Sequence, residues 1–93
     1  MFICIVEMYG ISPTISEQTR AEVELNEGAA IDELIAALRA KVPALEGPVI
    51  QSGYNRLTDS FAFIINGQFY FSDGEIKIQS GDRVVLVLLA LGG

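Results

Sequence analysis

Ile31-Asp32-Glu33-Leu34-Ile35-Ala36-Ala37-Leu38-Arg39-Ala40-Lys41-Val42 is the stretch on which the fold turns. Ile31, Leu34, Ile35, Leu38 and Val42 recur at the spacing of one helical face, because a helix brings residues three and four apart into one stripe. Asp32 and Glu33 stand in the first turn and Arg39 and Lys41 in the last, which suits the helix macrodipole. Pro43 then stops the helix, since its ring admits no further turn. The N-cap is weak, because Gly28 and Ala29 offer no side-chain oxygen to the first free N–H groups.

Before this helix, Arg20-Ala21-Glu22-Val23-Glu24-Leu25 alternates polar and apolar, as a strand with one wet face should. Phe2 to Tyr9 is rich in β-branched and aromatic residues and ends at Gly10, which predicts a strand largely buried on both faces. A loop through Ser12-Pro13 joins the two as a hairpin, and Asn26-Glu27-Gly28 turns the chain into the helix. After it, Ala44 to Ser60 holds Gly47, Pro48 and Gly53 without a period and reads as loop with room for a helical turn. Phe61 to Ile65 and Gln68 to Phe71 flank Asn66-Gly67, a strong two-residue hairpin signal. Asp73-Gly74 and Ser80-Gly81-Asp82 are turns, and Val84 to Leu89 has the unbroken apolar run of a central strand with covered faces. The order hairpin, helix, hairpin, strand predicts an α+β domain, a mixed sheet of four to five strands with one main helix packed across it.

The 93 residues suffice for one domain, 1–93, with a single core. Half are hydrophobic (51%) and 19% are charged, a globular rather than a disordered composition. With a net charge of −6 and six scattered cations, Arg20, Arg39, Lys41, Arg56, Lys77 and Arg83, the chain offers no basic patch for phosphates. Nucleic acid and anionic membrane are therefore not expected partners. The apolar start meets Glu7 without a positive n-region, so it does not read as a signal peptide. The run from Val84 to Leu91 is far shorter than the roughly 20 residues of a membrane span. A cytoplasmic location follows as the expectation.

Histidine is absent, which removes Ser-His and Cys-His nucleophiles and imidazole metal ligands. The one cysteine, Cys4, sits in an apolar strand pattern and reads as a small core side chain; it cannot build a thiolate metal site. No glycine-rich phosphate loop is present, so no nucleotide cofactor is expected on this chain. Asp73 and Glu75 flank Gly74 and could pair as acid and base, but charges beside a turn glycine read first as a solvated loop. Side-chain chemistry thus predicts no enzyme and no metal.

What remains is the end of the chain. The last predicted strand runs into Ala90-Leu91-Gly92-Gly93, and residues 90–93 are expected to form a flexible tail carrying the terminal carboxylate. Two glycines there lack Cβ atoms and could thread a narrow channel in a partner. A frayed end without function is the alternative.

A Gly92-Gly93 end on a single-helix β domain resembles the ubiquitin-like β-grasp family, and its MoaD/ThiS sulfur-carrier branch in particular. The resemblance rests on Glu27-Gly28-Ala29 opening the helix, Leu34 to Leu38 within it, Pro43-Ala44-Leu45 after it, Asn66-Gly67 in the hairpin and Gly81-Asp82 before the last strand. These segments span nearly the whole chain and are similar to the small subunit of molybdopterin synthase and to the thiamine sulfur carrier. The resemblance implies that an E1-like partner uses ATP to adenylate the Gly93 carboxylate and that sulfur then displaces AMP to leave a thiocarboxylate. A sulfur-transferring enzyme, or the larger subunit of molybdopterin synthase, would receive the tail. It further implies that Leu89 and Leu91 lie in the partner's channel and Phe69 and Phe71 near the docking face, although all four also fit an ordinary core, the phenylalanines especially. Other readings stay open: a modifier conjugated to lysines, a sulfur carrier for thiamine, cysteine or tRNA thiolation, or a plain binding domain.

Overall fold

The computed structural model describes residues 1–72 and 75–89. The helical stripe becomes α1 (Ile31–Lys41), whose Ile31, Leu34, Ile35 and Leu38 are buried. Ala30 occupies the N-cap without a side-chain cap. Glu33 reaches back instead, its Oε1 accepting the Ala30 N–H at 3.4 Å, half of a capping box. At the other end the Val42 N–H still donates to the Leu38 carbonyl, and Pro43 opens a short 3₁₀ turn, Pro43–Leu45.

Five strands surround this helix in sequence: β1 (Phe2–Tyr9), β2 (Arg20–Leu25), β3 (Phe61–Ile65), β4 (Gln68–Tyr70) and β5 (Val84–Leu88). They form one mixed sheet in the order β2-β1-β5-β3-β4. β1 runs parallel to β5, and the other neighbours are antiparallel. This is the α+β arrangement that the element order predicts and the β-grasp fold that the resemblance implies. β5 is central, between β1 and β3, and the one helix lies across a single face of the sheet.

That single helix decides which side chains are buried. On β1, Cys4, Val6 and Met8 point into the core with Ala21, Val23 and Leu25 of β2, Phe61, Phe63 and Ile65 of β3, and Val84 and Leu86 of β5. Among the described residues no helix covers the opposite face. β1 is therefore buried on one face only, contrary to its all-apolar reading, with Ile3, Ile5 and Tyr9 exposed. β5 also departs from expectation at its end, where Leu88 is exposed and Leu89 lies beyond the strand.

The aperiodic stretch after the helix is ordered by burial rather than by period. Leu45, Val49, Ile50 and Leu57 are buried, and Ile50 bridges both Glu46 and Leu57. Arg39 ties this loop to α1: its guanidinium donates to the Gln51 carbonyl at 3.2 Å, to the Tyr54 carbonyl and to Asn55 Oδ1. Its Nε lies 3.3 Å from Glu46 Oε2, a charge contact without hydrogen-bond geometry.

The β3–β4 turn is clamped to the start of β5. Asn66 (φ 51°) and Gly67 (φ 85°) both take the left-handed conformation that a tight type I′ hairpin turn demands. Asn66 adds three bonds: its Oδ1 accepts the Arg83 N–H at 2.9 Å, its Nδ2 donates to Asp82 Oδ1 at 2.9 Å and its N–H donates to the Arg83 carbonyl at 3.0 Å. Asp82 Oδ2 in turn accepts the Gln79 N–H at 2.8 Å. Replacing Asn66 with Ala loses both side-chain bonds and puts a Cβ residue without local compensation into a left-handed turn. We expect a loss of about 2 kcal/mol in urea unfolding, against about half that for Asn66→Gly, which keeps the turn and loses only the bonds.

Candidate functional site

The uncovered face of the sheet is built by strand parity. Register places Glu7 opposite Val85, Val85 opposite Ile64 and Ile64 opposite Phe69. One step along, Tyr9 faces Val87 and Val87 faces Ala62. These residues share the side of the sheet away from α1, since side chains alternate along a strand. Ala62 and Val85 are buried without belonging to the core cluster; their neighbours in the sheet cover them. Tyr9, Ile64, Gly67, Arg83, Val85 and Val87 line a shallow hollow of about 290 Å³ on this face. Its charged border is the ion pair between Arg83 Nε and Glu7 Oε2 at 3.1 Å.

Phe69 and Phe71 lie on the surface, 59% and 53% exposed, which corrects the core reading of both. β4 ends at Tyr70, so Phe71 follows the strand instead of belonging to it. Tyr70, of opposite parity, is the aromatic that packs against the core. Leu89 is half-buried, and its N–H donates to the Ser60 carbonyl at 2.7 Å, which pins the chain where it leaves β5. Leu91, Gly92 and Gly93 fall outside the described residues, as do Asp73 and Gly74; Glu75 is exposed. Sequence reasoning missed Ile3, Ile5 and Tyr9 as surface residues. The signal was available, because one helix can cover only one of the two faces of β1.

Gly10 shapes the point where β5 ends. It takes φ +82°, and a Cβ built there would stand 2.6 Å from the Leu88 Cβ. Only a glycine lets the chain after β1 turn so close beside the end of β5. Parallel pairing of β1 and β5 therefore brings Tyr9, Gly10, Val87 and Leu88 to the same end of the sheet.

Side-chain chemistry in the described part of the molecule is sparse. Cys4 is buried, and burial pushes its thiol pKa up, with the Asp82 carboxylate adding a smaller push in the same direction. A thiol held protonated in a core is a poor nucleophile. Among the described residues no three His, Cys, Asp or Glu side chains gather as a metal site, and no helix is long and apolar enough to cross a membrane.

Fold and surface together define a β-grasp domain with one bare apolar sheet face, bordered by the exit of its last strand. The sequence model of the ThiS family matches residues 9–93, and the chain belongs to that family of ubiquitin-like sulfur carriers and modifiers. Carriers of this kind work with E1-like activating enzymes and partner subunits and are in general not catalysts themselves. No curated protein matches the chain by sequence. Among solved structures it is similar to SAMP1 of Haloferax volcanii, with TM-score 0.79 and 20% identity over 99% of this chain and 100% of that one. A protein of Pyrococcus furiosus described as molybdopterin converting factor subunit 1 gives TM-score 0.71 and 19% identity over 97% and 100%. The small archaeal modifier protein 1 of Methanosarcina acetivorans gives 0.69 and 14% over the whole of both chains. At these identities the likeness carries the fold alone.

Gly10→Ala should destabilise by about 2 kcal/mol in urea unfolding, through strain at positive φ and overlap with Leu88, and amide shifts should move in Phe61 and Leu89 as well as locally. For Cys4 the sign of the pH effect is fixed. The folded state binds the thiol proton more tightly than the unfolded chain, so this contribution is complete below the unfolded thiol pKa of about 8.5. It is lost as pH rises from there through the folded value. Unfolding free energy should fall over that alkaline window in the native protein and stay flatter in Cys4→Ala.

Proposed function

We propose that this protein is a sulfur carrier whose reacting group is the Gly93 carboxylate, working most directly in the making of the molybdopterin cofactor. The family match, which runs through residue 93, is the observation that carries the reading. A carboxylate is a poor acyl donor until one oxygen becomes a good leaving group. Attack of the Gly93 carboxylate on the α-phosphorus of ATP, in an E1-like partner, releases pyrophosphate and leaves an acyl adenylate. A sulfide equivalent then adds to the acyl carbon and AMP departs, giving a thiocarboxylate with a soft, nucleophilic sulfur. Gly92 leaves the approach free of side chains, and Leu91 and Leu89 supply apolar grip in the partner's channel.

The chain's own part is to dock. Tyr9, Val87, Ile64, Phe69 and Phe71 would meet the activating enzyme and the receiving subunit, because an apolar face beside the exit of β5 buries most area where the tail must enter. Such a patch matches interface cores, which are rich in aromatic residues and poor in charge. No metal or cofactor is assigned to this chain; ATP belongs to the partner. A cytoplasmic setting, where ATP and reduced sulfur meet, fits the scheme.

A second reading has its own support, since two of the similar structures are described as small archaeal modifiers. The same activated Gly93 could acylate a lysine amine and form an isopeptide bond. One experiment separates the two: intact-mass analysis and immunoblotting of untagged protein from its native cells, beside a strain lacking Gly92-Gly93. The carrier reading expects a mass gain equal to sulfur replacing one oxygen, absent from the truncated chain, and no ladder of heavier conjugates. A Gly93-dependent ladder without the mass gain would make it a modifier, and a truncated chain that restores full cofactor synthesis would defeat the carrier reading outright.

A further inference from the structure

The two edges of the sheet are unequal. β4 is three residues long, whereas β2 runs six residues in unbroken register with β1, without bulge or proline, and among the described residues has no strand on its other side. Natural sheets guard such an edge, because its unpaired backbone groups template a further strand. The Met8 N–H donates to the Thr19 carbonyl at 2.8 Å. Alternation then turns the backbone of Ala21, Val23 and Leu25 toward β1 and leaves the N–H and C=O groups of Arg20, Glu22 and Glu24 pointing outward.

Beside this edge runs an open groove of about 510 Å³, lined by Ile3, Glu22, Val23, Glu24, Ala37, Ala40 and Lys41. The helix contributes two alanines and Lys41 here, and the alanines leave a strand laid along β2 space on the helix side of the sheet. The two sides of such a strand would meet different chemistry. Residues opposite Glu22 and Glu24 would point to the bare face, beside two carboxylates, with the Arg20 guanidinium at the far end of the same row. Those between them would point into the groove, against Ala37, Ala40 and the rim of Val23. Alternation has period two, so the fitting segment alternates basic and apolar residues.

We infer that β2 is a strand-addition site for an extended segment of a partner protein in which Lys or Arg alternates with Val or Ile. Charge complementarity with Glu22 and Glu24 selects this occupant. A second copy is left to the test: an antiparallel β2–β2 pair centred on Glu22 sets those two carboxylates opposite each other but pairs Arg20 with Glu24 at both ends. The site goes beyond the carrier reading and does not use the tail.

The probe is a fluorescent, capped heptapeptide, Lys-Val-Lys-Val-Lys-Val-Lys, titrated against the full-length protein by anisotropy, with the Glu-for-Lys peptide as control. We expect saturable binding of the basic peptide only, with amide shifts concentrated in residues 20–25 and 37–41. Glu22→Lys with Glu24→Lys should weaken it about tenfold or more. Asp59→Lys with Glu75→Lys, the same charge change at exposed positions elsewhere, should leave it within about twofold. All four positions are exposed, so both variants should keep wild-type thermal unfolding. Deleting Gly92-Gly93 should leave the titration unchanged, which separates this site from the carrier reading. Absent binding, equal weakening by both charge variants, shifts centred on Tyr9 and Phe69, or a β2-mediated dimer that excludes the peptide would each overturn the proposal.

Discussion

The parallel pairing of β1 with β5 is the constraint on which the rest of the molecule depends. It joins Val6 to Val84 and Tyr9 to Val87, residues nearly a chain length apart. Parallel neighbours cannot be linked by a tight turn and need a long crossover, and here α1, the ordered loop and the β3–β4 hairpin all lie within that crossover. Contacts so distant in sequence charge loop-closure entropy before they return burial. Once formed, they make the last strand the central one, so that the chain leaves the sheet at its middle, beside Gly10, instead of at an edge. A single crossover helix also covers only one side of five strands, and the bare face follows from that count.

This explains which parts of the structure could be read from residues alone. α1 and the Asn66-Gly67 turn are local: one is written in a period, the other in the left-handed preference of two adjacent residues. The succession of strands along the chain was legible because each carries its own β-forming composition. The covering of β1 was not. Phe2 to Tyr9 has apolar residues at both parities, and nothing local distinguishes Val6, packed under the helix, from Ile5, left outside. The loop after α1 failed for a related reason, since its order comes from Arg39 reaching carbonyls 12 and 15 residues away and from Leu45, Val49, Ile50 and Leu57 filling gaps without a period.

The candidate site divides in the same way. Gly92 and Gly93 were conspicuous because the chemistry of a chain end needs no side-chain constellation, only an available carboxylate and slender neighbours. Phe69 and Phe71, set near the docking face by the resemblance, also fitted a core because composition rewards burying a phenylalanine wherever a layer exists to bury it. Among the described residues the side of the sheet that carries Phe69 has no such layer, and Phe71 lies beyond the strand. Tyr70, between them in sequence, satisfies the expectation in their place.

The bare face and the β2 edge answer different physical demands. Apolar area on the face gains free energy from any well-shaped apolar surface, so it favours strength over choice. Backbone groups on an edge would likewise accept any extended chain, and here the carboxylates of Glu22 and Glu24 introduce selection. They disfavour acidic strands and favour basic ones. An edge that needed only protection could have been interrupted by a proline or bulge; β2 keeps its full register with β1, and that retained regularity is what makes selective strand addition physically available.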